Sequence, residues 1–138
     1  MSLADICNLL LVTFAGIALY VGLKQVAISR EISALSAYES YHMTCINHPE
    51  FSAGFAFDKA SELEIERYRM FVLYALMTGE RILNLFPKDK LWIFAIEDDV
   101  RIHQEFLSSD HFRPYRGKQD PKMSALIERV LSQFEDSA

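Results

Sequence analysis

ICNLLLVTFAGIALYVGL, residues 6–23, is a run of eighteen residues without a charge, closed by Lys24. An α-helix rising 1.5 Å per residue would carry it roughly 27 Å, close to the hydrocarbon thickness of a bilayer. Leu9-Leu10-Leu11-Val12 and Ile17 to Val21 are apolar around the whole circumference, whereas a core helix in a protein of this size would carry a polar stripe. The run predicts a transmembrane anchor over residues 1–23. Only Asn8 and Thr13 interrupt it, and neither is charged; such groups are tolerated near an interface or a neighbouring helix. Met1 to Asp5 holds no Lys or Arg and Lys24 to Arg30 offers no A-x-A pattern, so a cleaved signal peptide is not expected.

Orientation follows from the flanks. The N-terminal side carries no cation, while Lys24 and Arg30 follow the run closely. The excess of cations on the second side predicts an outside N-terminus and a cytoplasmic remainder. Cys7 at the membrane boundary and Cys45 well beyond it would then lie on opposite sides, so two free thiols are expected rather than a disulfide.

Working outward, residues 24–47 contain neither Pro nor Gly. Ile28, Ile32, Leu35, His42 and Ile46 recur at close to helical spacing, which predicts that the membrane helix continues as a stalk. Asn47-His48-Pro49-Glu50 breaks it, because proline disfavours helix at the preceding residue and suits a first helical position. A short helical turn is expected there. Gly54 with Phe51, Phe55 and Phe57 reads as a compact apolar connection.

The residues from 48 to 138 make one small cytoplasmic helical domain. Ser61-Glu62-Leu63-Glu64 is a capping box that opens a long helix, which ends at Phe86 before Pro87. Met70 to Met77 is apolar on every face, the mark of a central helix, and Gly79 within it calls for close packing by a neighbour. A third helix is predicted over Asp89 to Ser108, with Trp92, Ile96, Val100, His103 and Leu107 on one inward stripe. Ser109 to Gln119, with Pro114 and Gly117, reads as a loop. Asp120 caps the last helix, Pro121 opens it, and Met123, Leu126, Ile127, Val130 and Phe134 form its buried face. The fold expected is all-α: one transmembrane helix continuing into a stalk, then a small bundle of three main helices.

The formal charge of −5 supplies no field to gather nucleic acid, so nucleic-acid binding is disfavoured. No Gly-rich phosphate loop, G-x-S-x-G or H-E-x-x-H occurs, and no motif calls for a cofactor. Glu97, Asp98, Asp99 and His103 offer metal-ligand types, but three consecutive helical residues point three ways and only Asp99 and His103 share a face. His103 falls on the apolar stripe and reads as a core histidine bonded to a neighbour. Cys45, with His42 and His48 three residues to either side, is the least poor nucleophile; it lacks an evident orienting carboxylate, and a buried structural thiol is the default.

Two surfaces read as contacts. Leu11, Ala15, Ala18 and Gly22 form a stripe of the membrane helix whose last three members are small, a seam for a homodimer or a partner helix. Arg113, Tyr115, Arg116 and Lys118 form the one local positive excess, suited to an acidic partner or anionic head groups. The rival is that Phe112 and Tyr115 pin this loop while its cations stay in water. The expected function is thus a non-enzymatic accessory or interaction protein of a membrane complex. The alternatives are a membrane-tethered enzyme or effector using Cys45, and a sensor of anionic lipid.

The order of a single pass, a helical stalk, His48-Pro49-Glu50-Phe51, a helical domain and Phe112-Arg113-Pro114-Tyr115 near its end resembles bacterial membrane proteins of no assigned activity. In that group His-Pro-Glu is often followed by an aliphatic residue, where this chain has Phe51. The resemblance implies this architecture and a bacterial inner membrane, and implies no activity, substrate or cofactor.

Overall fold

The computed structural model describes residues 2–135, which are all-α, with six helices and no strand among the described residues. The chain divides into two compact units, one up to Leu35 and one from Ser36 onward.

The first unit is helical from Leu3, within α1 (Leu3–Asn47). Its start is capped reciprocally: the Ser2 backbone N–H donates to Asp5 Oδ2 at 2.7 Å, and the Asp5 N–H donates to Ser2 Oγ at 3.2 Å. This helix is long and apolar enough to cross a membrane, and 0% of its most apolar window is buried inside the protein. A core helix would bury that window. The Thr13 hydroxyl donates to the Leu9 carbonyl at 2.8 Å, so the donor of that side chain is satisfied within the helix. At the far end of the run the Lys24 ammonium lies 5.5 Å from the Tyr20 ring centre, an aromatic and a cation where an interface would hold both.

The second unit begins with the last turns of α1 and continues through α2 (Pro49–Ser52), α3 (Glu62–Leu85), α4 (Lys90–Ile102), α5 (Gln104–Ser108) and α6 (Pro121–Glu135). The stalk expected over residues 24–47 therefore contributes its residues from Ser36 to the bundle. Within it the inward side chains are Tyr38, Tyr41 and Cys45, while Met43 and Ile46 face out. Pro49 opens α2 as anticipated. Phe51 is buried and meets Phe55 edge-on at 5.2 Å, so the connection is packed. Gly54 takes φ +91° with its Cβ position 3.2 Å from the Ile102 carbonyl oxygen, a combination that glycine alone accommodates without strain.

Both halves of the capping box before α3 form: the Glu64 N–H reaches Ser61 Oγ, and Glu64 Oε2 accepts from the Ser61 N–H at 2.9 Å. Phe86 ends the helix. Met70 and Met77, two turns apart, are exposed. The all-round apolar stretch is thus central on most faces but leaves one stripe to solvent, because neighbouring helices cover the rest. The expected third helix is split: His103 leaves helical geometry (φ −104°, ψ 11°) and separates α4 from α5. Its N–H bonds the Val100 carbonyl, a three-residue step, and its ring is held by Tyr68, so a tertiary contact overrides a pattern that is continuous in sequence. Asp120 Oδ1 accepts from the Lys122 N–H at 2.9 Å and Pro121 opens α6.

α3, α4 and α6 pack on one another around Tyr68, Val72, Ile82, Phe106, Met123 and Val130, all buried. Gly79 lets them close. A Cβ there would stand 2.5 Å from Met123 Cε and 2.9 Å from Ile96 Cγ2, the close packing that the sequence called for. Helix directions follow from the contacts. Ser40 Oγ bonds the Tyr74 hydroxyl at 2.9 Å, while Ser36 and Ala37 share a hollow with Met77 and Arg81, so α3 runs antiparallel to the end of α1. Tyr38 meets Trp92 edge-on at 5.3 Å, and Asp99, two turns further along α4, acts on Tyr41, His42 and Cys45; α4 therefore runs parallel to it.

Candidate functional site

The polar residues of the bundle that are drawn inward converge between the end of α1, α3 and α4. His103 is 2% exposed and its Nδ1 lies 2.8 Å from the Tyr68 hydroxyl oxygen, which is the core histidine with a bonded neighbour that the stripe foretold. A neutral imidazole has one donor and one acceptor nitrogen; Nε2, the second, has no partner among the described residues. Burial pulls the His103 pKa down to about 4, and burial raises that of Tyr68. Both are neutral at pH 7. Asp99 is the opposite case: burial lifts its carboxyl to about 6, helped by Asp98 and resisted by the His42 charge and a hydrogen bond from Tyr38.

Asp99, His103, Tyr41, Thr78 and Gly79 are among the residues lining a small cavity of about 10 Å³. That volume admits about one water molecule. It is far below the several hundred Å³ usual for a small-molecule site, so the arrangement fits a buried polar junction joining α1, α3 and α4. A wider, open hollow of about 420 Å³ lies between α1 and α3, walled by Thr44, His48, Phe51, Met70 and Tyr74 with Arg67 above Phe51.

The carboxylate that the sequence failed to place beside Cys45 is Asp99. It opposes nucleophilic chemistry rather than assisting it: burial and the Asp99 charge both push the Cys45 thiol up, with only local hydrogen bonds pulling down. A nucleophilic cysteine needs the reverse, an electropositive setting that favours thiolate. His42 packs on Tyr38 at 4.5 Å, and His48 Nδ1 faces Glu50 at 3.4 Å. Both cysteines are free thiols.

The acidic residues of α4 part as helical geometry requires. Glu97 takes Arg101 at 2.8 Å and Arg129 of α6 at 2.6 Å, Asp98 stays exposed, and Asp99 turns inward. No three His, Cys, Asp or Glu side chains gather as a metal site among the described residues.

The loop cluster is largely engaged with its own domain. Phe112 is buried and starts a 3-10 turn over Arg113–Tyr115. Arg116 donates twice to the Leu107 carbonyl, at 2.9 and 3.2 Å. Arg113 pairs with Asp110 at 2.5 Å, and Lys118 and Arg69 lie 5.2 and 5.5 Å from the Tyr115 ring centre. Phe112 thus pins the loop, and Arg116 is a staple rather than a free cation. On the long N-terminal helix, Leu11, Ala15 and Ala18 are exposed and Gly22 is half-buried, and a Cβ added at Gly22 would meet nothing within 4 Å.

Sequence reasoning missed the inward turn of Asp99, whose partners lie more than fifty residues away on α1, and the reciprocal Ser2–Asp5 cap, which a capping-box search at the first residues would have found. No protein family, curated protein or solved structure matches this chain.

Proposed function

We propose that the chain is a non-enzymatic, single-pass membrane protein whose helical bundle and membrane helix act by contact with other proteins, as an accessory subunit or a homodimer. The observation that supports it is the run from Ile6 to Leu23, apolar on every face and wholly unburied by the rest of the protein. Such a surface is stable only when lipid or another apolar helix covers it. The Ala15, Ala18 and Gly22 face is the natural seam, because small side chains let backbones approach closely. Lys24 and Arg30, the cations that follow the run, support a cytoplasmic bundle under the cation rule, and the sequence resemblance supports a bacterial inner membrane. A catalytic role for Cys45 is disfavoured by the raised thiol pKa.

The test is mild detergent extraction of the full chain, with co-purification and oligomeric size compared between parent and Gly22→Leu. The variant is expected to lose its partner or its dimer. An unchanged complex would rule out the seam, and release of the parent by alkaline carbonate would rule out membrane insertion.

A further inference from the structure

His103 turns an unanswered donor toward the interior of the bundle. Its Nδ1 lies 2.8 Å from the Tyr68 hydroxyl oxygen, a pair in which either side could donate. The surroundings of Tyr68 decide the direction. Burial raises the Tyr68 pKa and only the backbone N–H of Phe55 pulls it down, so a donor already faces the phenol oxygen and its hydrogen is left for Nδ1. A neutral imidazole that accepts at Nδ1 carries its own hydrogen on Nε2. That N–H has no partner among the described residues, on a side chain only 2% exposed. A buried donor left unmade costs more than a hydrogen bond ordinarily contributes, and folded proteins rarely tolerate one.

The cavity of about 10 Å³ lies where an acceptor is wanted. His103 lines it, and among the described residues Tyr68 does not. The ring therefore turns its Nδ1 edge away from the cavity and brings its Nε2 edge to the wall. α3 makes the room, because the side chains it sets there, Ala75, Thr78 and Gly79, are small. α4 sets Asp99 on the same wall, one turn before His103 and on the same helical face. A carboxylate has two oxygens with about four acceptor sites, and Tyr38 occupies one of them. Volume and chemistry then agree on the occupant: water fits a space of this size, accepts from an N–H and donates to a carboxylate at the same time.

We propose that this cavity is a binding site for a single buried water molecule, which accepts from His103 Nε2–H and donates to Asp99 and to the Thr78 hydroxyl. The water bridges α4 to α3 beside Tyr41 of α1 and completes the bonding of the polar junction. Internal waters of this kind make about three hydrogen bonds and are costly to remove. The site stands apart from membrane insertion and from the partner seam, so its failure would leave both untouched.

The test uses the full chain in mild detergent with 15N-labelled histidine, the His103 ring being assigned through its backbone. A long-range 1H–15N spectrum reports which ring nitrogen carries hydrogen. A water-selected rotating-frame experiment reports whether water lies beside the carbon-bound Hδ2, which flanks Nε2 and is remote from the Tyr68 bond. The expected result is hydrogen on Nε2, none on Nδ1, and a water cross peak at Hδ2 opposite in sign to the diagonal. Tyr41→Phe and Thr78→Val, with folding checked by circular dichroism, should keep that peak, since Nε2–H and Asp99 still hold the water. Hydrogen on Nδ1 would overturn the proposal, because Nε2 would then be no donor. Nε2–H without a water peak would show a dry cavity and overturn it as well. A peak lost in either variant would trace the signal to an exchanging hydroxyl, with the same consequence.

Discussion

Replacing Gly79 by alanine pits two effects of known size against each other. In a helix interior Ala is favoured over Gly by about 1 kcal/mol, so an unencumbered site would be stabilised. At Gly79 the new methyl would stand 2.9 Å from Ile96 Cγ2 and 2.5 Å from Met123 Cε. Methionine has three rotatable bonds and can withdraw its terminal methyl. Ile96 cannot withdraw as easily, being β-branched and buried. Overpacking of this kind costs typically about 1–3 kcal/mol. Steric cost should therefore exceed the propensity gain, for a net loss of about 1 kcal/mol, or roughly 4–8 °C for a domain of this length. The assay is urea or thermal unfolding of the full chain in mild detergent, followed by Trp92 emission, which reports the bundle because Trp92 packs on Tyr38. A double-mutant cycle supplies the control: Ile96→Ala clears the obstructing methyl, so Gly79→Ala should be tolerated in that background, with a coupling of about 1 kcal/mol or more. A Gly79→Ala protein as stable as the parent or more so would refute the close contact of α3 with α4.

Tyr68→Phe removes the bonded partner of buried His103 and should cost roughly 1–3 kcal/mol by urea unfolding; adding His103→Leu should recover much of it, since both polar partners are then gone, and no recovery would deny that the bond matters. The pH profile of stability carries two opposed limbs. Asp99 holds its proton to about pH 6 when folded against 3.8 ordinarily, so its titration lowers stability as pH rises through that window. His103 protonates at about 4 when folded against 6.5 ordinarily, so its titration lowers stability as pH falls from 6.5 toward 4. Asp99→Asn should leave the histidine limb alone, giving stability that climbs steadily from pH 4 to 6.5; a profile matching the parent's would show that Asp99 is not shifted by the fold.

The legible features share a short range. Pro49, the Ser61–Glu64 box, Pro87 and the Asp120–Pro121 start each act within about four residues of a helix end, so a sequence displays cause and effect together. The same holds for the uncharged run, whose consequence depends on its own composition and length. The Gly79 contact was legible as a need for a close neighbour, though not as Ile96 and Met123.

What only the tertiary structure decided is which way each face turns. Burial is non-directional and follows the sum of all packing partners, so an apolar stripe does not announce its own side. Along α1 the apolar Ile28, Ile32, Leu35 and Ile46 proved exposed, and the inward positions of the bundle went to Tyr38, Tyr41 and Cys45. The same summation broke the Asp89 to Ser108 helix at His103, drew Asp99 beside residues distant in sequence, and left Leu91 and Phe94 outside. The chain alone determined most helix ends, the break at His103 excepted, and that one helix suits a bilayer; assembly of the bundle determined which faces remain available to do anything.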